Sequence, residues 1–141
     1  MELVSPSEIE AFERRLAEAV RTGEVEDFDV IGYGEITIAV KLTTPKGDFV
    51  CKRLAPLSSK AAAARIADVI ALYIAELEAC GIDVVETETP FLQGPDCWVL
   101  YCVQPLLDPR SLGPDFLRGV SAEEAAPHVR RIFEQIRDSV T

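Results

Sequence analysis

No apolar run in this sequence approaches the roughly 20 residues that a bilayer crossing needs, and the opening residues, MELVSPSEIEAFERR, are acidic where a secretory signal would be basic and then apolar. A cytoplasmic protein is therefore expected. Basic residues are scarce, 14 Lys and Arg against 24 Asp and Glu, for a net charge of −10. Nucleic acid and anionic membrane surfaces both need clustered cations to offset phosphate, so neither is an expected partner. Histidine is limited to His128, and Cys51, Cys80, Cys97 and Cys102 form no CxxC pair. Cys97 and Cys102 stand five apart, which on a strand turns them to opposite faces, so no metal centre is expected. The thiols read as reduced, buried small apolar residues.

With 141 residues, 48% of them hydrophobic, and no low-complexity tract, the chain reads as one folded domain, residues 1–141. Ser5-Pro6-Ser7-Glu8 followed by Ile9, Phe12, Leu16, Ala19 and Val20 gives a capped amphipathic helix that Gly23 ends, filling residues 1–26. Strands are expected over 28–33, 36–43 and 49–54, with turns at Gly34-Glu35 and Pro45-Lys46-Gly47-Asp48. A long helix should run from Ser58 or Ser59 to Gly81, its apolar stripe made by Ile66, Val69, Ile70, Tyr73, Leu77 and Cys80. Two strands, 83–92 and 97–107, should flank the turn Gln93-Gly94-Pro95-Asp96; the apolar run CWVLYCV marks the second as buried on both faces. After a segment broken by Pro105, Pro109 and Pro114, Ser121-Ala122-Glu123-Glu124 opens a last helix, interrupted near Pro127. The order α-βββ-α-ββ-α gives an α+β fold, a five-stranded antiparallel sheet with one long helix packed on it and helices at both ends.

Chemistry concentrates in residues 28–57. Lys41, Lys46, Lys52, Arg53, Lys60 and Arg65 stand against Asp48 alone between positions 41 and 65, an excess suited to a small anion or to a solvated basic face. Gly32 and Gly34 sit at the first turn, where glycine lets backbone approach an anion closely. Lys52 shares a strand face with Val50 and Leu54, and an ammonium turned inward there would need a charged partner or water.

The segments IGYGEITIAV, FVCKRL and WVLYCVQPLL, in this order, resemble the upper lobe of the protein-kinase-like fold over residues 27–107, within the small-molecule branch that includes aminoglycoside phosphotransferases, through an uncharacterised bacterial relative. The resemblance implies a glycine hairpin, Gly32 and Gly34, over the phosphates of ATP with Mg²⁺, and Lys52 pairing with those phosphates and with an acid on the following helix. Asp68 fits that acid by spacing and Glu76 by its nearness to the apolar stripe. Ala39 and Val50 would form a small apolar ceiling over adenine. The hinge would run through Val103, Gln104, Pro105 and Leu106, where Pro105 offers no N–H, so Gln104 and Leu106 flank the adenine edge. Residues 108–141 would begin a lower lobe or form a terminal helix.

Two departures qualify this resemblance. Thr37 stands where the pattern often has a third glycine, and the chain ends at Thr141 before a catalytic-loop or metal-holding aspartate. Phosphoryl transfer requires both groups. The expectation is therefore a nucleotide-binding portion without activity of its own, with ATP held weakly, belonging to a longer small-molecule phosphotransferase or standing as a remnant. Its partners would be nucleotide and the lower lobe, or a second copy through the open cleft face or the last helix. The same element order, size and acidity also fit a small dimeric peptide-binding chaperone of the class I type III secretion kind, whose apolar grooves take an extended segment.

Overall fold

The structure, a computed structural model, describes residues 7–34, 37–111 and 113–140. Ser5, Pro6, Glu35, Ile36 and Thr141, on which some expectations rest, lie outside them. The fold is α+β, with four helices and a five-stranded antiparallel sheet of order β1-β2-β3-β5-β4. The chain divides into two compact units, residues 1–67 with 86–105, and residues 68–85 with 106–141.

The first unit holds the sheet. Strands β1 (Asp27–Tyr33), β2 (Ile38–Thr44) and β3 (Gly47–Arg53) form a meander whose β-branched residues alternate as expected. Strand β5 (Trp98–Pro105) pairs with β3 on one side and with β4 (Phe91–Gln93) on the other, and its interior position accounts for its continuous apolar run. The strand expected over 83–92 is mostly extended backbone without a ladder; Glu88 bridges Val103, and regular pairing begins only at Phe91. Glu86 and Glu88 are exposed and Pro90 has no N–H to give, so this stretch makes an edge rather than a full strand.

Val40, Leu42, Cys51, Val99 and Tyr101 form the buried core on one face of the sheet, together with Phe12 and Leu16 of α1 (Ser7–Thr22). Phe12 stacks on Phe28 at 5.4 Å between ring centroids. Phe12 and Leu16, an i, i+4 pair, lie on one stripe of α1 and turn it toward the sheet.

Helix α2 (Lys60–Ala79) begins where Ser59 accepts a hydrogen bond from the Ala62 N–H (3.1 Å). It ends in a Schellman turn at Gly81 (φ 77°), with Gly81 N donating to Glu78 O (2.9 Å) and Ile82 N to Leu77 O (3.0 Å). Its inward stripe differs from the expected one. Ala63 is fully buried and Ala67, Ile70, Ile74 and Leu77 are half-buried, whereas Ile66, Val69 and Tyr73 are exposed. Alanine offers little area but permits close approach, so the small-residue side turns inward and the larger apolar groups stay outside.

The second unit carries the rest of α2, a 3₁₀ turn at Pro109–Ser111, α3 (Gly113–Gly119) and α4 (Ala122–Ser139). The short α3 falls where prolines suggested irregular chain; Pro114 sits in its first turn, where a missing N–H costs nothing. A capping box joins Ser121 and Glu124 at the start of α4. The helix runs unbroken through Pro127, contrary to the expected interruption. Pro127 withdraws one hydrogen bond near the helix start, where the exposed Glu123 leaves its carbonyl reachable by water. Arg131 pairs with Asp83, Gln135 Nε2 donates to Gly81 O (2.9 Å), and His128 meets Phe116 edge-on at 5.0 Å.

Candidate functional site

The sheet face opposite Val40 and Cys51 collects most of the candidate residues. Ladder pairing sets Gly32 against Ala39, Ala39 against Lys52, and Lys52 against Cys102, one row across four strands. Directly paired residues in an antiparallel sheet share a face. Two residues along β2, β3 and β5, and three along β1 across a β-bulge, lies a second row, Asp29, Lys41, Val50 and Gln104. Gly32, Ala39, Val50, Lys52 and Gln104 thus converge on one surface. Gly34 lies at the hairpin end of the same strands. Its N–H donates to Thr37 O at 2.7 Å, and a Cβ there would come within 2.7 Å of Thr37 Oγ1, so a larger residue at 34 would make the Thr37 hydroxyl turn away. Gly32 differs. A Cβ there would meet only the Ala39 Cβ at an ordinary 3.9 Å, and packing within the chain does not demand glycine.

Lys52 is exposed, not turned inward, which corrects the expectation drawn from its apolar neighbours. The physical reason is alternation: Cys51 and Arg53 face the α1 side, leaving Lys52 on the open side. Its charge is felt by Cys102, whose thiol is pushed up by burial and drawn partly back by the nearby Lys52 ammonium. Lys41 is engaged differently, with Nζ 2.8 Å from Asp48, and that hydrogen bond and charge raise its pKa. Among the described residues Lys52 has no ion-pair partner.

The start of α2 lies on this same face. Lys60 Nζ stands 5.7 Å from the Trp98 ring centroid, and Trp98 shares the face of Leu100, Cys102 and Gln104 by strand alternation. Asp68 and Glu76 are exposed residues of the α2 portion within the second unit, and Leu106 opens the chain's return to that unit.

A feature invisible in the sequence fixes Gln104. Its Nε2 donates to Thr87 Oγ1 at 2.9 Å, so the extended segment before β4 orients the amide. Composition gave no signal for it, because Thr87 stood in a presumed regular strand. A cavity of about 800 Å³ lies on the other side of the sheet, with Tyr101, Val99, Leu92 and the paired Arg53 and Glu13 in its wall. The Lys52 surface is an open shelf. Among the described residues no cluster of three His, Cys, Asp or Glu side chains is placed to hold a metal ion, and no helix is long and apolar enough to cross a membrane.

The family model for DUF6206, a family of unknown function, matches residues 11–140. The chain belongs to the DUF6206 family. Neither a curated protein nor a solved structure matched it. The match takes in every strand of the DUF6206 sheet and both rows of the Lys52 face, so the shelf belongs to the family's common extent rather than to a local addition.

Proposed function

We propose that this DUF6206 chain presents the nucleotide-binding face of a kinase-like upper lobe, taking ATP with Mg²⁺ on the shelf formed by β1, β2, β3 and β5. The observation that carries the reading is the row Gly32, Ala39 and Lys52, with Lys52 exposed near the end of β3 and, among the described residues, without an ion pair. An exposed ammonium beside small residues is suited to a phosphate, which it meets as a point charge. Gly32, which internal packing does not explain, leaves backbone open to that anion. Val50 and Ala39 offer apolar surface to a base. Beyond them Val103, Gln104 and Pro105 end β5, paired with Cys51, Val50 and Phe49, which supports the hinge reading.

The reading assigns binding and positioning to these residues, not transfer. A base for the acceptor and a carboxylate for Mg²⁺ belong to a lower lobe, which is the natural partner of the shelf. A cytoplasmic location, where ATP is supplied, goes with this proposal.

Calorimetric titration of the full chain with Mg-ATP tests it. Weak, saturable binding is expected, and Lys52→Ala should weaken it at least tenfold, about 1.4 kcal/mol. Lys41→Ala, which removes a lysine already paired on the same face, should have a smaller effect. No heat with the native chain, or equal binding by Lys52→Ala, would overturn the proposal.

A further inference from the structure

Two helices of the second unit each leave an apolar face in water. On α4, Ile132, Phe133, Ile136 and Val140 are each more than half exposed, Phe133 at 68%. On α2, Val69, Leu72 and Tyr73 are exposed to a similar degree, Tyr73 at 64%. Scattered single apolar residues would need no explanation, but helical spacing gathers these into two stripes.

The borders of the stripes are opposite in sign. Arg130 and Arg137 stand one turn to either side of Phe133, three residues before and four after, so the α4 row reads Arg130, Phe133, Arg137. Asp68 and Glu76 stand four residues to either side of Leu72, so the α2 row reads Asp68, Leu72, Glu76. All four charged residues are exposed. Arg137 also meets Asp138 in an exposed pair at 2.8 Å and feels the charge of Glu134, surface contacts of the weak class with which a partner carboxylate competes.

Pairing α4 with α4 would bring arginine rows together, and pairing α2 with α2 would oppose carboxylates. Pairing α2 with α4 matches acid to base and apolar row to apolar row. Both faces are exposed within one chain, so neither covers the other there. We infer that the occupant is a second copy of this chain, with the α2 face of each copy covering the α4 face of the other about a two-fold axis. Each copy carries both halves, which is the requirement for a self-complementary closed dimer. Doubling the contact by symmetry buries both stripes of both copies. Its charged rims make the association weaken as salt rises. The inference stands apart from nucleotide binding, since it uses no residue of the Lys52 face.

The test is a paired charge swap on the full chain, read by sedimentation velocity across a concentration series. The native chain should dimerise reversibly, and more weakly at high salt. Arg130→Glu with Arg137→Glu should raise the dimer dissociation constant more than tenfold, as should Asp68→Arg with Glu76→Arg in a separate variant. An equimolar mixture of the two variants should dimerise again, because each then meets the opposite charge at both contacts. Thermal melts matching the native chain would show that these surface changes leave the fold intact. Phe133→Ser, which keeps every charge, should also give monomer. A native monomer throughout the series would overturn the proposal, as would a dimer indifferent to both swaps or a mixture that stays monomeric.

Discussion

Cys51 of β3 has no exposed surface, and burial pushes its thiol from 9.0 up to about 12. Tyr101, across the core, rises from 10.0 to about 12 for the same leading reason. As pH rises past the unfolded values the unfolded chain sheds these protons first, so it binds fewer protons than the folded chain. Stability therefore falls from pH 9 toward pH 12 and is fully present below that window. Urea unfolding at neutral pH and at about pH 10.5 should show a lower midpoint at the alkaline value; an unchanged midpoint would contradict the burial of both groups. Leu100, also fully buried, lies on the Lys52 side of β5, and Leu100→Ala should cost about 2–5 kcal/mol. At this scale the alternation of β2 and β3 was legible: Ile38, Val40 and Leu42 share the core side, and Phe49, Cys51 and Arg53 oppose Val50 and Lys52. The outward position of Lys52 was not. Period two assigns a residue to a face but does not say which face the helices leave open.

The helices and the fourth strand show where element-level reading stopped. The caps of α2 and α4 were written in Ser59, Gly81 and Ser121, each with a local hydrogen bond that needs no tertiary information. Ser121→Ala should cost about 1 kcal/mol, visible as an earlier onset of α4 melting. On α2 the expected stripe keeps Ile70 and Leu77 on the inward side, but large apolar groups dominate the periodicity whereas close packing turns Ala63 and Ala67 inward and leaves Ile66, Val69 and Tyr73 outside. Two substitutions check this. Ala63→Leu should destabilise by about 1–3 kcal/mol through overpacking, while Tyr73→Ala, measured at concentrations where the chain is monomeric, should stay within about 0.5 kcal/mol; the reverse order would restore the stripe expected from sequence.

For the whole molecule, the α+β class and the five antiparallel strands followed from turn chemistry and β-branched runs, and the spatial order β1-β2-β3-β5-β4 came from pairing that no local pattern encodes. The convergence of Gly32, Ala39, Lys52 and Gln104 likewise depends on register, which brings together residues up to 72 positions apart. The chain's −10 charge opposes both nucleotide binding and self-association in general, so each proposal depends on a local cation, Lys52 on the sheet and Arg130 with Arg137 on α4. The central claim is that the Lys52 shelf receives a nucleotide. Backbone amide resonances of the full chain followed by NMR during titration with Mg-ATP test it most directly. Shifts concentrated at Gly32, Gly34, Ala39, Val50, Lys52 and Gln104, and diminished in Lys52→Ala, are the predicted result; an unchanged spectrum, or shifts centred on the opposite face around Tyr101, would contradict it.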